Sequence, residues 1–74
     1  MDTWKAIIKE KKELSDAGRV EVVYGIYLND ELRVTETMDW DASTVEDNIK
    51  ARIELQKENY EAYDQISEGQ EIEL

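Results

Sequence analysis

The run from Val20 to Met38 leaves this chain the fewest options, because it alternates at period two, breaks at a short polar stretch and then alternates again. Side chains two apart share one face of a strand. Val20, Val22, Tyr24, Ile26 and Leu28 therefore line one side of an extended segment, and Leu32, Val34 and Met38 continue that side after Asn29-Asp30-Glu31. The pattern predicts a β-hairpin with an apolar inner face. A two-residue loop at Asn29-Asp30 would set Ile26 opposite Arg33 and turn one apolar set toward solvent. A three-residue loop sets Leu28 opposite Leu32, Ile26 opposite Val34, Tyr24 opposite Glu36, Val22 opposite Met38 and Val20 opposite Trp40, and is the expected one. Glu36 is then the only polar residue facing inward, with its carboxylate expected to reach toward an edge.

The first strand of the hairpin is apolar on its other side as well. Val23 and Tyr27 flank Gly25 there, and a strand so nearly continuous in apolar side chains is usually covered on both faces. Either an N-terminal helix or a second chain should lie across this outer face, so a homodimer through Val23 and Tyr27 is one expectation. Gly25 itself reads as a bulge or a point of close approach, since no phosphate-binding pattern surrounds it.

Upstream, Thr3 to Ala17 reads as an amphipathic helix, capped by Asp2 or Thr3 and stopped by Gly18, with Trp4, Ile7, Ile8 and Leu14 as its apolar stripe. Lys11 interrupts that stripe. Lys5, Lys9, Lys11 and Lys12 alternate with Asp2, Glu10, Glu13 and Asp16, leaving the first nineteen residues only one charge from neutral, which describes a solvated face better than a polyanion-binding one.

Downstream, Thr44 to Ser67 reads as a long helix whose inner stripe is Val45, Ile49, Ile53, Gln56, Tyr60, Tyr63 and Ile66. Ser43 and Glu46 have the spacing of a capping box. The tail Gln70 to Leu74 alternates again and reads as a third strand added to the hairpin. The expectation is a single α+β domain spanning residues 1–74, of order α-β-β-α-β. Its small three-stranded sheet, antiparallel or mixed, carries the long helix on one face, with a right-handed strand-helix-strand crossover.

Composition limits the chemistry. With neither cysteine nor histidine, the chain has no disulfide, no thiolate and none of the common zinc ligand sets. Asp39, Asp41 and Ser43 imitate the first ligands of a calcium loop, but Thr44 stands where the loop needs glycine and Lys50 where it needs a bidentate carboxylate. No metal and no cofactor is expected. General acid-base chemistry at neutral pH most often uses histidine, and phosphoryl transfer needs a glycine-rich cradle, so the sequence reads as non-catalytic. No apolar run approaches the ~18 residues of a membrane span and no apolar leader segment opens the chain, so a cytoplasmic location is expected.

Charge points to the class of partner. Nine basic against nineteen acidic residues give a formal net charge of −10, which opposes direct nucleic-acid binding and favours a basic protein surface. The acidity is concentrated late, with residues 41–74 carrying a net −7. On the long helix Glu54, Glu58, Glu61 and Asp64 share one face, and like charges at such spacings destabilise an isolated helix by a few tenths of a kcal/mol per pair. These four, with Val23 and Tyr27, are the expected partner-binding residues. The leading expectation is an acidic protein-protein interaction module. A narrower alternative is a phage- or plasmid-type inhibitor that mimics nucleic acid, since anti-CRISPR and anti-restriction proteins as a class share this size and acidity. A small structural or assembly subunit is the third. No family motif is matched residue by residue.

Overall fold

The computed structural model describes residues 1–15 and 18–74. Three strands, β1 (Trp4–Glu13), β2 (Arg19–Leu28) and β3 (Glu31–Asp41), form one antiparallel sheet in the order β1-β2-β3. A single turn of 3-10 helix over Ala42–Thr44 leads into helix α1 (Val45–Asp64), and the other described residues carry no regular element. The domain is α+β, as the sequence indicates. Its order is β-β-β-α.

The N-terminal segment is thus a strand and not a helix; Asp16 and Ala17, the last residues of the expected helix, lie outside the described residues. The physical reason lies in β2. An isolated two-stranded hairpin is marginal in water, and β2 has a second row of backbone N–H and C=O groups to satisfy. β1 satisfies them, pairing Trp4 with Leu28, Ala6 with Ile26 and Ile8 with Tyr24 on the inner face, and Ile7 with Gly25 on the outer. Lys9 is the extra residue of a bulge between Ile8 and Glu10. Local helix propensity in a lysine- and glutamate-rich decamer gives way to that tertiary demand. Gly18, at φ +82°, serves the connection between β1 and β2 and not a helix end.

The third strand of the sheet is therefore β1 and not the tail. Gln70 to Leu74 forms no strand, and no strand-helix-strand crossover exists among the described residues. Ile66, Ile72 and Leu74 are exposed.

The hairpin register agrees with expectation along most of its length. Val20 faces Trp40, Val22 faces Met38, Tyr24 faces Glu36 and Ile26 faces Val34. At the turn it differs. Leu28 pairs with Glu31 and Tyr27 with Leu32, so the connection has two residues, Asn29 and Asp30, both in the left-handed region at φ 50° and 67°. That geometry matches the right-handed twist of the strands. A bulge at Arg33 absorbs the odd residue and restores the apolar register beyond it. Its price is that Leu32 lies on the outer face and not the inner.

Val22, Tyr24, Ile26, Leu28 and Ile49 are the buried core, with Trp4, Ala6, Val20, Val34, Met38, Trp40, Val45 and Ile53 packed around them. Tyr24 stacks on Trp40 with ring centroids 5.8 Å apart. The helix is held at its far end by Tyr60, which meets Trp4 edge-on at 5.7 Å and lies under the Arg33 guanidinium at 5.2 Å. The inner stripe stops there, because Tyr63 is 72% exposed. Helix α1 also begins without a capping box. Thr44 Oγ1 donates to the Asp41 carbonyl and accepts from Asn48 Nδ2, while Glu46 pairs with Lys50.

Candidate functional site

Two surfaces and one internal cluster carry the polar chemistry of the molecule. The internal cluster comes first because it fixes the helix on the sheet. Glu36 points inward from β3 with its side chain only 10% exposed, and Arg52 of α1 grips it through two donors, Nε to Oε1 at 3.0 Å and Nη2 to Oε2 at 2.7 Å. Tyr24 donates its hydroxyl to Oε1 of the same carboxylate. The carboxylate that was expected to reach an edge is therefore tied down between two elements. The Arg52 hydrogen bonds hold Glu36 below the usual glutamate range against the opposing effect of burial, with the Tyr24 hydroxyl assisting. Burial, and then the adjacent carboxylate, push the Tyr24 hydroxyl well above the ordinary phenol value. Among the described residues no buried side-chain polar atom lacks a partner, so the cluster is internally satisfied.

The first surface is the acidic face of α1. Glu54, Glu58, Glu61 and Asp64 are all exposed, and none of the ion pairs among the described residues involves them. The cations of the helix are largely committed elsewhere, Lys50 to Glu46 at 3.4 Å and Arg52 to Glu36. Lys57 stands within the strip and offsets one charge. Glu68, Glu71 and Glu73 extend the acidity past the helix end, also exposed.

The second surface is the outer face of the sheet, where Val23 and Tyr27 lie half-buried on β2. No helix crosses it, since β1 sits beside β2 within the sheet. The structure adds Ile7 and Leu32, each 46% exposed, to the two residues expected from sequence. Neither is legible locally: Ile7 falls in a stretch whose pattern predicts a helix, and a three-residue loop turns Leu32 inward. The signal for Leu32 was the Asn29-Asp30 pair, whose residue types tolerate a left-handed turn. Gly25 lies at the centre of this patch. A Cβ there would stand 2.9 Å from Leu32 Cδ1, 3.0 Å from Tyr27 Cε1 and 3.1 Å from Lys9 Cε. Close approach is what the glycine permits, by side chains lying across it.

A groove of about 430 Å³ between β1 and α1 is lined by Ala6, Ile8, Val45, Ile49 and Ile53, with Glu46 and Lys50 at its rim. This lining suits an apolar side chain. Asp41, one of the calcium-loop imitators, pairs with Arg19 at 3.3 Å, and no cluster of three acidic side chains able to hold a metal occurs among the described residues. No helix is long and apolar enough to cross a membrane.

Fold and surfaces together define the class: a three-stranded antiparallel meander backed by one helix, acidic on the helix and with an apolar centre ringed by charges on the open sheet face. Comparisons with protein families, with curated proteins and with solved structures find no match to the chain.

Proposed function

We propose that this protein is a non-catalytic interaction module whose acidic helix face engages a basic surface on a partner protein. The observation that carries the proposal is the exposed strip of Glu54, Glu58, Glu61 and Asp64, free of ion pairs among the described residues while two of the helix's three cations are committed elsewhere. Four like-charged residues on one face weaken the helix that bears them. A partner presenting lysines and arginines removes that repulsion, and complementary fields of this kind speed encounter and fix orientation.

Spacing favours a narrower version. The four carboxylates span ten residue steps, about 15 Å of helix, and with Lys57 among them leave a net of three charges, about one per ~5 Å, which lies nearer a single strand at one per ~3.4 Å than a duplex at one per ~1.7 Å. An inhibitor occupying the single-strand channel of a nucleic-acid-binding protein fits that density better than a mimic of double-stranded DNA.

The experiment replaces Glu54, Glu58 and Glu61 with glutamine and Asp64 with asparagine. Partner capture and association rate are then compared with the parent at about 50 and 500 mM salt, which brackets strong and weak screening. The parent should bind a basic partner quickly and lose it at high salt. The variant should bind slowly with little salt dependence. A variant that captures the same partner with the parent's rate and salt response removes the acidic face from recognition.

A further inference from the structure

We infer that the outer face of the sheet is a self-association surface, on which a second copy of this chain packs with its strands running parallel to those of the first. This inference concerns a different surface from the acidic helix and does not rest on the function proposed above.

Local charge is the first argument. The chain as a whole carries −10, yet the residues that the ladder places on the outer face balance. On the strands Lys5, Lys12 and Arg19, with Lys9 lying over Gly25 and Tyr27, stand against Glu10, Glu21, Asp39 and Asp41, and Asp30 of the turn pairs with Lys5 at the edge. The acidic excess lies elsewhere, on the helix and beyond. A basic partner has little reason to choose this face, whereas a copy of the same face meets it without net repulsion.

The arrangement of those charges selects the geometry. The lysines stand on β1, at one side of the sheet, and Asp39 and Asp41 stand on β3, at the other. Two sheets packed face to face within ~30° of alignment can be related by a two-fold axis either along the strands or across them. An axis across the strands lays β1 on β1 and sets lysines against lysines. An axis along them lays β1 of one copy on β3 of the other and preserves the level of every residue. Lys12 shares its level with Glu21 and Asp39 in the ladder, so it meets Asp39 of the second copy twice over, once at each rim.

In the middle, β2 lies on β2. Val23 and Tyr27 meet their own counterparts on either side of Gly25, with Ile7 and Leu32 flanking them. Because Lys9, Tyr27 and Leu32 lie down over the glycine, the centre of the face is low, and two such faces can approach to the ~10 Å separation of packed sheets. Three strands ~4.8 Å apart and about 33 Å long present about 500 Å² per copy. The pair buries about 1,000 Å², which reaches the lower limit of specific interfaces and corresponds to a weak, reversible dimer.

The test is sedimentation equilibrium of the full chain from about 5 to 500 μM, with circular dichroism and thermal melting to confirm the fold. A monomer-dimer equilibrium in the micromolar range is expected. Tyr27→Glu should abolish it. Lys12→Glu, an exposed change that leaves the core untouched, should weaken it about tenfold, and adding Asp39→Lys in the same chain should restore it. A chain that stays monomeric throughout that range overturns the inference. So does a dimer indifferent to Tyr27→Glu, or one that the Lys12→Glu, Asp39→Lys double variant fails to restore. The helix variant with Glu54, Glu58, Glu61 and Asp64 neutralised should dimerise like the parent, which keeps this result separate from that of partner binding.

Discussion

Replacing Arg52 by methionine preserves the aliphatic stem and helix propensity while removing both donors that hold Glu36. Opposite charges ~4 Å apart attract by about 4 kcal/mol at the effective dielectric of a site near the surface. Desolvation of a carboxylate that is 10% exposed and a guanidinium that is 31% exposed returns part of this. What the variant loses is larger than the net value of the pair, because Glu36 stays behind with Tyr24 as its remaining donor. A loss of about 2–3 kcal/mol is expected, below the ~3–5 kcal/mol of fully buried pairs. For a domain of this size that lowers the melting temperature by about 10–20 °C.

The pH dependence supplies the sharper test. In the parent, Glu36 is depressed below its ordinary value of 4.5, so its stabilisation is complete above that value and disappears as pH falls through the lower folded value. Without Arg52, the strongest influence lowering Glu36 is gone while burial still pushes its folded value up, so the carboxylate takes up a proton at higher pH than in the parent and the variant loses less stability on acidification. Urea unfolding of parent and variant between pH 7 and pH 4 should show the difference between them narrowing on acidification. A difference under about 0.5 kcal/mol at pH 7, or one that does not change with pH, would refute the assignment of Glu36 as a buried, arginine-dependent carboxylate.

Other outcomes are expected. Asn29→Ala removes the acceptor for the Thr3 amide at 2.9 Å and a residue suited to φ 50°, so it should cost about 1–2 kcal/mol and accelerate amide exchange at the start of β1. Gly18→Ala, at φ +82°, should destabilise by about 1 kcal/mol in thermal melts. Gly25→Ala should change stability by less than that, because every neighbour it meets is a side chain able to move. Truncation after Gly69 should leave the melting temperature essentially unchanged, since Ile72 and Leu74 are exposed; a drop of several degrees would show that the tail packs. Partner binding should be flat between pH 6 and 8, because the chain has no histidine and the shifted groups move away from that window, Asp30 and Glu36 downward and Tyr24 and Arg52 upward.

The hairpin was legible in the sequence because one face of β2 is buried, and a slip of one residue would expose all of it. That constraint fixed four of the five expected pairs. It could not see the bulge at Arg33, which lets a two-residue turn and an apolar register coexist, and so it misplaced Leu32. β1 was illegible for a different reason. Its inward residues, Trp4, Ala6 and Ile8, alternate over only five positions, and the rest of the strand is lysine and glutamate, which favour a helix until a neighbour demands pairing. The tail shows the converse, an alternating pattern with no sheet edge assigned to it. Of the candidate surfaces, the acidic face was readable because helical periodicity places exposed charges directly. The outer sheet face was half readable, as Ile7 and Leu32 depend on pairings that are not local.

The meander has a kinetic consequence. Each strand pairs with the strand next to it in sequence, across connections of about five and two residues, and the helix then returns over the sheet just formed. Contact order is therefore low for a domain so rich in strand, and little chain entropy must be lost before the first favourable contact forms. Refolding should be single-exponential and fall in the millisecond range or faster. With no proline in the chain, no isomerisation step can delay it. The inner faces of Tyr24 and Ile26 stay wet until α1 docks, when Ile49 covers them and Arg52 meets Glu36.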